Sequence, residues 1–548
     1  MKLKNSTLLI LILLGGFRFS YAQNSYPYQS EFEAAYAAHP DVPKGILEAV
    51  SYSQTRFTDL QNSEPSCIGL PVYEGVMGFI ADGQGYFRNT KSIVANGSGI
   101  QIDQLGTPAI DIMAYAAAYE GLIGVQVFSN TTYEWKWHES LIASLCEIPF
   151  DDNPVNEYAR SCFTYQVLNF LRDEENQAIY NFPAYEIDLE QVYGANNYLI
   201  LSSKKVQASD ATIMDFQGNQ FEQQSRSFDY APALWVATPT CNYSSRNGTP
   251  VSAVTVHTVQ GSYAGAISWA QNCSANVSYH YVVRSSDGQI TQMVYEADKG
   301  WHVGSENPYT IGIEHEGYVD NPAWYTPSMY NASSALVKDI TQSGYGINPL
   351  RTFQGPATVG INVLGGCTKI KGHQHYPNNS HTDPGINWDW EHYYQLINDN
   401  PPITSLTNAS GVFYDSGGST GDYSDDERVL YLIEPANVLS VTINFDQFSI
   451  EQNWDYMRVY DGTSLSDPLI GVYTGTAVPT SITSSGGAIL DLIVLRKMLV
   501  GKFHGPQFLD LDREIMLLQL QLFLLQETGK LWILLQILVI QIILVVLV

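Results

Sequence analysis

Basic residues are scarce in this chain. Lysine and arginine number 27 against 55 aspartates and glutamates, a formal charge of −28 over 548 residues. A phosphate backbone needs a basic stripe, so the balance argues against a nucleic-acid partner. Charge of either sign is sparse at 15% of residues, whereas tyrosine (36) and glycine (43) abound; that composition suits an extracellular surface handling sugars. Cysteine is confined to Cys67, Cys146, Cys162, Cys241, Cys273 and Cys367, with no Cys-x-x-Cys spacing, which argues against a cysteine-ligated structural metal. The apolar run at residues 8–14 is shorter than the roughly 20 residues that span a bilayer. With Lys2 and Lys4 before it and Ser20-Tyr-Ala22 after it, it reads instead as the core of a secretory signal peptide over residues 1–22. Export permits disulfides, and proximity favours Cys241 with Cys273 and Cys146 with Cys162, among about 15 possible connectivities.

The length suffices for three or four domains. Residues 23–228 have helical spacing: Glu31-Phe-Glu-Ala-Ala-Tyr-Ala-Ala and residues 110–123 repeat apolar positions every three or four residues, and Pro43 is placed to open a helix. Residues 229–400 alternate predicted strands (251–256, 278–285, 289–297, 309–315) with helices (262–272, 328–343), a mixed sheet with helices packed on it. Asn400-Pro-Pro-Ile then reads as a stiff linker. Residues 401–488 show period-two alternation, as in Val441-Thr-Ile-Asn-Phe-Asp-Gln-Phe448 and Asp455-Tyr-Met-Arg-Val-Tyr-Asp-Gly462, and predict a β-sandwich. From Ile489 to Val548 serine, tyrosine, asparagine and alanine vanish and leucine, isoleucine and valine dominate. This tail reads as out-of-frame translation making no packed contacts, or as a membrane anchor, the one route by which a membrane enters the reading.

The chemistry concentrates in Lys371-Gly-His-Gln-His-Tyr-Pro-Asn-Asn-Ser-His-Thr-Asp-Pro-Gly385, three histidines and a carboxylate among turn formers. A catalytic zinc takes three such ligands and keeps a fourth position open. Asp383 is one candidate, His373 or His375 a second, since both face one side if the segment is a strand. His257, ending the apolar run from Val251, is the third.

Five motifs occur in order: Val254-Thr-Val-His257, Val277-Ser-Tyr-His-Tyr-Val-Val283, Trp301-His-Val-Gly304, Ile311-Gly-Ile-Glu-His-Glu-Gly317, and Gly372-His373 with Asp383-Pro-Gly385. Together they resemble the zinc-dependent N-acetylmuramoyl-L-alanine amidases, the family that also contains the peptidoglycan-recognition proteins. The resemblance implies one Zn2+ on His257, His373 and Asp383. It implies Glu314 as general base, with Glu316 as its rival, and His381 beside the developing oxyanion where bacterial relatives often have lysine. His280 and His302 fall at positions lining the substrate groove, and His375 is left behind the ligand or facing substrate. The implied activity is hydrolysis of the amide between N-acetylmuramic acid and L-alanine in peptidoglycan or its muropeptides, by a secreted enzyme. The alternative is a peptidoglycan-binding or adhesion protein without turnover.

The flanking regions carry resemblances of their own. Ile46-Leu-Glu-Ala-Val-Ser-Tyr-Ser-Gln-Thr-Arg-Phe57 and Gly75-Val-Met-Gly-Phe79 are similar to lysozyme-like transglycosylases, but Gln54 and Thr55 stand where that family has glutamate and serine. A primary amide cannot protonate a glycosidic oxygen, so the domain is expected to bind glycan or serve structure; Glu48, six residues away on a helix, points elsewhere. Residues 401–488 resemble CUB modules, some of which bind Ca2+, and Asp455 stands at a comparable place.

Overall fold

The computed structural model describes residues 26–61, 63–125, 133–202, 229–419, 421–485 and 487–494. The expected signal peptide lies outside them, as does the tail beyond Val494. Among the described residues no helix is long and apolar enough to cross a membrane.

The N-terminal region is helical. Helices α1 (Gln29–Ala38), α2 (Ile46–Thr55), α3 (Thr90–Ser98), α4 (Pro108–Val125) and α5 (Glu134–Ser144) precede α6 (Pro154–Arg172), and α7 (Glu174–Tyr180), α8 (Leu189–Tyr193) and α9 (Ala195–Ser202) follow it. A short hairpin, β1 (Tyr73–Glu74) and β2 (Phe79–Ile80), lies between α2 and α3. Helix α6 is the axis of the domain. Asn153 caps it by accepting from the Val155 amide, and Pro154 occupies its first turn, where no N–H is needed. Cys146 and Cys162 are both buried and unbonded, contrary to the expected bridge; each packs in the core as a small apolar side chain. Cys241 and Cys273 are disulfide-bonded.

The central region adds β3 (Leu234–Trp235), β4 (Ser244–Ser245), β5 (Ala253–Thr258), α10 (Tyr263–Trp269), β6 (Tyr281–Val283), β7 (Ile290–Gln292), β8 (Asp298–Lys299), β9 (Thr310–His315), α11 (Pro327–Gln342), β10 (Ile370–Gly372) and α12 (Trp390–Ile397). Six strands form one mixed sheet in the order β10-β5-β9-β6-β7-β3, with β5 parallel to both β10 and β9. Both faces of β5 and β9 are buried, as expected of central parallel strands. Val254, Val256, Ile311 and Ile313 face a core completed by α11 and α12. The opposite face shares one continuous core with the helical domain, where Tyr263, Ile267 and Trp269 of α10 join Leu70, Tyr73 and Tyr158.

The C-terminal region is a five-stranded sheet, β11 (Ile403–Leu406), β12 (Glu427–Ile433), β17 (Ala488–Val494), β14 (Tyr456–Asp461) and β15 (Leu469–Tyr473) in that spatial order, with a two-stranded partner, β13 (Val441–Ile443) and β16 (Ile482–Ser484). It has its own core around Phe413, Ile443, Met457 and Leu490. Strand β17 corrects the expectation that residues from 489 onward pack against nothing. It pairs with both β12 and β14, buries Leu490 and Leu492, and sets Asp491 against Arg428 in a buried two-point ion pair at 2.9 and 2.8 Å. The missing sandwich strand was hidden because its leucines and isoleucines resemble the tail that follows.

Candidate metal centre and active site

Strand alternation explains why the site forms where it does. Val256 and Ile313 face the α11–α12 core, so their neighbours His257 and Glu314 face the other way, and the parallel register sets these two directly opposite each other. Strand β10 ends at Gly372 beside Val256, which delivers His373 to the same edge. The cluster thus sits at the carboxyl ends of parallel strands, a common place for a site in an open α/β sheet. A Cβ on Gly372 would meet Pro384 Cδ at 2.4 Å, so glycine lets β10 pass close to the segment bearing Asp383.

His257 Nδ1 lies 3.0 Å from Asp383 Oδ2, and His373 Nδ1 lies 3.3 Å from Asp383 Oδ1. His373 Nδ1 is nonetheless a buried polar atom with no hydrogen-bond partner, a costly arrangement that a metal ion would relieve. The far nitrogen of His257, Nε2, is 3.0 Å from His302 Nδ1, and His302 Nε2 reaches Thr310 Oγ1 at 3.3 Å. A proton on His257 Nε2 shared with His302 would leave the Nδ1 lone pair for a metal in the cluster. Burial lowers the His257 pKa to about 4, so its imidazole is neutral, as a metal ligand must be. Burial raises Asp383, yet His373 and His257 outweigh it and hold the carboxyl well below its usual range. Two imidazoles and a carboxylate are the donor types that fit a zinc-like ion.

Glu314 is wholly buried, with Oε1 3.9 Å from His257 Nδ1. Burial, followed by the Asp383 charge, pushes its pKa well above the ordinary carboxylate value; a cation in the cluster would draw it back down. Its rival, Glu316, is committed elsewhere. It accepts from the Tyr263 and Ser285 amides at 3.0 and 2.8 Å and from Gln166 Nε2 at 3.2 Å.

A cavity of about 430 Å³ opens beside the cluster, lined by Trp301, His302, His373, Asn379, His381 and Cys67 among others. His381 is half-buried, its ring centre 4.9 Å from that of His373. Burial, then the neighbouring His373, lowers its pKa.

His280 and His375 are both held by contacts within the protein. His280 is buried, its Nδ1 accepting from the Gly312 amide at 3.0 Å while Nε2 faces Arg246 Nη2 and the Asp298 carbonyl at 2.9 and 3.1 Å. His375 is not on a strand, because the chain turns into a 3-10 helix at His373–His375. Its Nδ1 accepts from the Gly372 amide, and its ring packs on Phe353 and Trp390. His302 reaches the cavity wall, but its polar atoms serve His257 and Thr310. In the helical domain, Gln54 donates to Glu147 Oε2 at 3.1 Å, and Glu48 is turned away onto the Tyr36 and Tyr26 hydroxyls. Asp455 is buried beneath the sandwich surface, accepting from the Tyr423 hydroxyl and the Glu451 amide.

One member of the cluster escaped the sequence reading. Cys67 Sγ, from the helical domain, lies 3.6 Å from His257 Nδ1 and 3.5 Å from Glu314 Oε1. Its available signal was an unpaired cysteine in a Ser-Glu-Pro-Ser loop, which an even cysteine count concealed.

Paired histidines and a carboxylate at one strand edge form a group of donor atoms that could hold a metal ion, with a buried glutamate beside them. Residues 247–386 match the N-acetylmuramoyl-L-alanine amidase domain model, and residues 403–494 match the CUB domain model. N-acetylmuramoyl-L-alanine amidase A of Achromobacter lyticus is 43% identical over 171 residues, covering 31% of this chain and 96% of that protein. The chain belongs to the N-acetylmuramoyl-L-alanine amidase family, with a C-terminal CUB domain. Human cubilin is 30% identical over 86 residues, 15% of this chain and 2% of cubilin. A Staphylococcus aureus hydrolase structure aligns at 20% identity with a TM-score of 0.23, covering 30% of this chain and 78% of the other.

Proposed function

We propose that the chain is a secreted, zinc-dependent amidase that cleaves the bond between N-acetylmuramic acid and L-alanine in peptidoglycan. The observation that carries the reading is the convergence of His257, His373 and Asp383 around the partnerless Nδ1 of His373, with Glu314 beside them. Export is supported by the residue pattern at 1–22 and by the Cys241–Cys273 bond.

When bound, zinc would supply a Lewis acid for the scissile carbonyl and lower the pKa of the attacking water. Glu314 takes the proton that water loses and passes it to the departing L-alanine amine, which cannot leave as an anion. His381, at the rim of the cavity, offers an N–H to the developing oxyanion. His302 holds His257 in the ligating tautomer. The CUB domain would keep the enzyme on surface polymer and raise its effective concentration at the bond. A calcium ion beside Asp455 is a further proposal, resting on that buried carboxylate.

The test is release of L-alanine amino groups from purified peptidoglycan. Removing the base in Glu314→Gln should lower turnover about 10²- to 10⁴-fold, and chelator should abolish it. Wall binding without release in any metal-replete preparation would turn the reading to a recognition protein.

A further inference from the structure

The fourth donor of the cluster comes from a different domain. Cys67 sits in the loop between α2 and β1, and its Sγ joins His257, His373 and Asp383 in a group of donor atoms that all lie within 4.8 Å of one another. The loop is fastened to the amidase sheet on both sides of the cysteine. Gln260 Nε2 donates to the Glu64 carbonyl at 3.1 Å, Ser66 Oγ donates to the Val259 carbonyl at 2.6 Å, and Trp269 Nε1 donates to the Ile68 carbonyl at 2.8 Å. The thiol forms no disulfide, and it stands directly against Glu314.

Four protein donors make a closed set, whereas a catalytic zinc site keeps one position open. The same sulfur also fills the space in front of the base. We propose that Cys67 is a displaceable fourth metal ligand that holds the intact chain in a latent form, the amidase site opening when the 63–69 loop withdraws. The inference rests on the zinc-hydrolase reading above. Ligation forms a sulfur–metal bond and releases the thiol proton to solvent; opening breaks that bond and returns a proton to sulfur, with no change of oxidation state. Glu64, Pro65 and Gly69 are exposed, so solvent and other proteins can reach the loop.

The test loads the purified full chain with cobalt(II) and follows sulfur directly. The expected result is a near-ultraviolet thiolate-to-cobalt charge-transfer band, lost in both Cys67→Ser and Cys67→Ala. Iodoacetamide should alkylate the Cys67 peptide slowly in the metal-loaded chain and rapidly after chelation, as mapped by mass spectrometry. If the open state is a minor conformer of about 0.1–10%, either variant should raise L-alanine release about 10- to 1,000-fold. Bound cobalt without the band, and alkylation indifferent to metal, would overturn the proposal and leave the zinc reading standing. A band with no gain of turnover in either variant would overturn latency and make Cys67 a fixed ligand. If cobalt binds the intact chain no better than it binds His373→Ala, the zinc reading falls and the proposal with it.

Discussion

His280 shows how a histidine in a family motif can be structural. The wall around it supplies a donor to Nδ1 from the Gly312 amide and sets Arg246 and the Asp298 carbonyl against Nε2, so the ring has no free nitrogen for substrate. Burial, then the Arg246 charge, lowers its pKa to about 3. In the unfolded chain the same ring titrates near its ordinary value of about 6.5. The unfolded state therefore binds the extra proton between those values, and stability from this residue is fully present above about 6.5 and lost as pH falls toward 3. Histidine side-chain NMR should show the His280 ring neutral and unchanging from pH 8 to 4 in the folded chain. A midpoint near 6 would mean that the ring is solvated, and its assignment to the scaffold would fail. His373 contrasts with it, since its buried Nδ1 is left without a partner.

At the scale of elements, β5, β9 and β10 make the site, and most of this was legible in the sequence. The apolar alternation of Val254, Val256, Ile311 and Ile313 already set His257 and Glu314 on the opposite face. Periodicity alone left His373 and His375 open, because the period-two argument assumes a strand where the chain forms a 3-10 turn, and the family resemblance chose His373. Strand β17 was obscured by composition, and Cys67 because its loop joins the site across 190 residues of sequence. Gly312 on β9 marks another long-range constraint. A Cβ there would meet the His302 ring at 2.6 Å, so glycine makes room for the imidazole that orients His257. Gly312→Ala should destabilise the fold by about 1–3 kcal/mol through overpacking. By displacing His302 it should also weaken metal affinity about 10- to 100-fold. Competition with a chromophoric chelator measures the second effect separately from stability, and unchanged affinity would show that His302 does not position the ligand.

For the whole molecule, the division of cores matters more than the division of sequence into domains. The helical region and one face of the amidase sheet share a single apolar core, further joined by Gln166 to Glu316 and by Arg56 stacked 3.9 Å from the Trp324 ring centre. The CUB domain keeps a core of its own and meets the amidase region through polar contacts: Arg351 to Asp426 at 3.0 Å, Arg458 to Glu391 at 3.0 Å and Arg458 to Gln354 at 2.7 Å. Arg351 and Asp426 are partly exposed, and a pair of that kind adds little cooperativity. Arg458 is buried at the junction, but a few polar contacts couple two units less than a shared core, which cannot be opened on one side alone. Calorimetry should therefore resolve two transitions, one for the helical and amidase regions together and one for the CUB domain. The proposed zinc site lies in the first unit alone, so zinc at about 100 times its Kd should stabilise that transition by about 2.7 kcal/mol and leave the second unmoved. Chelation should reverse the shift. A separate helical transition that ignores metal would show that the two regions unfold independently, and the loop bearing Cys67 would then be held by its own hydrogen bonds rather than by the core beneath it.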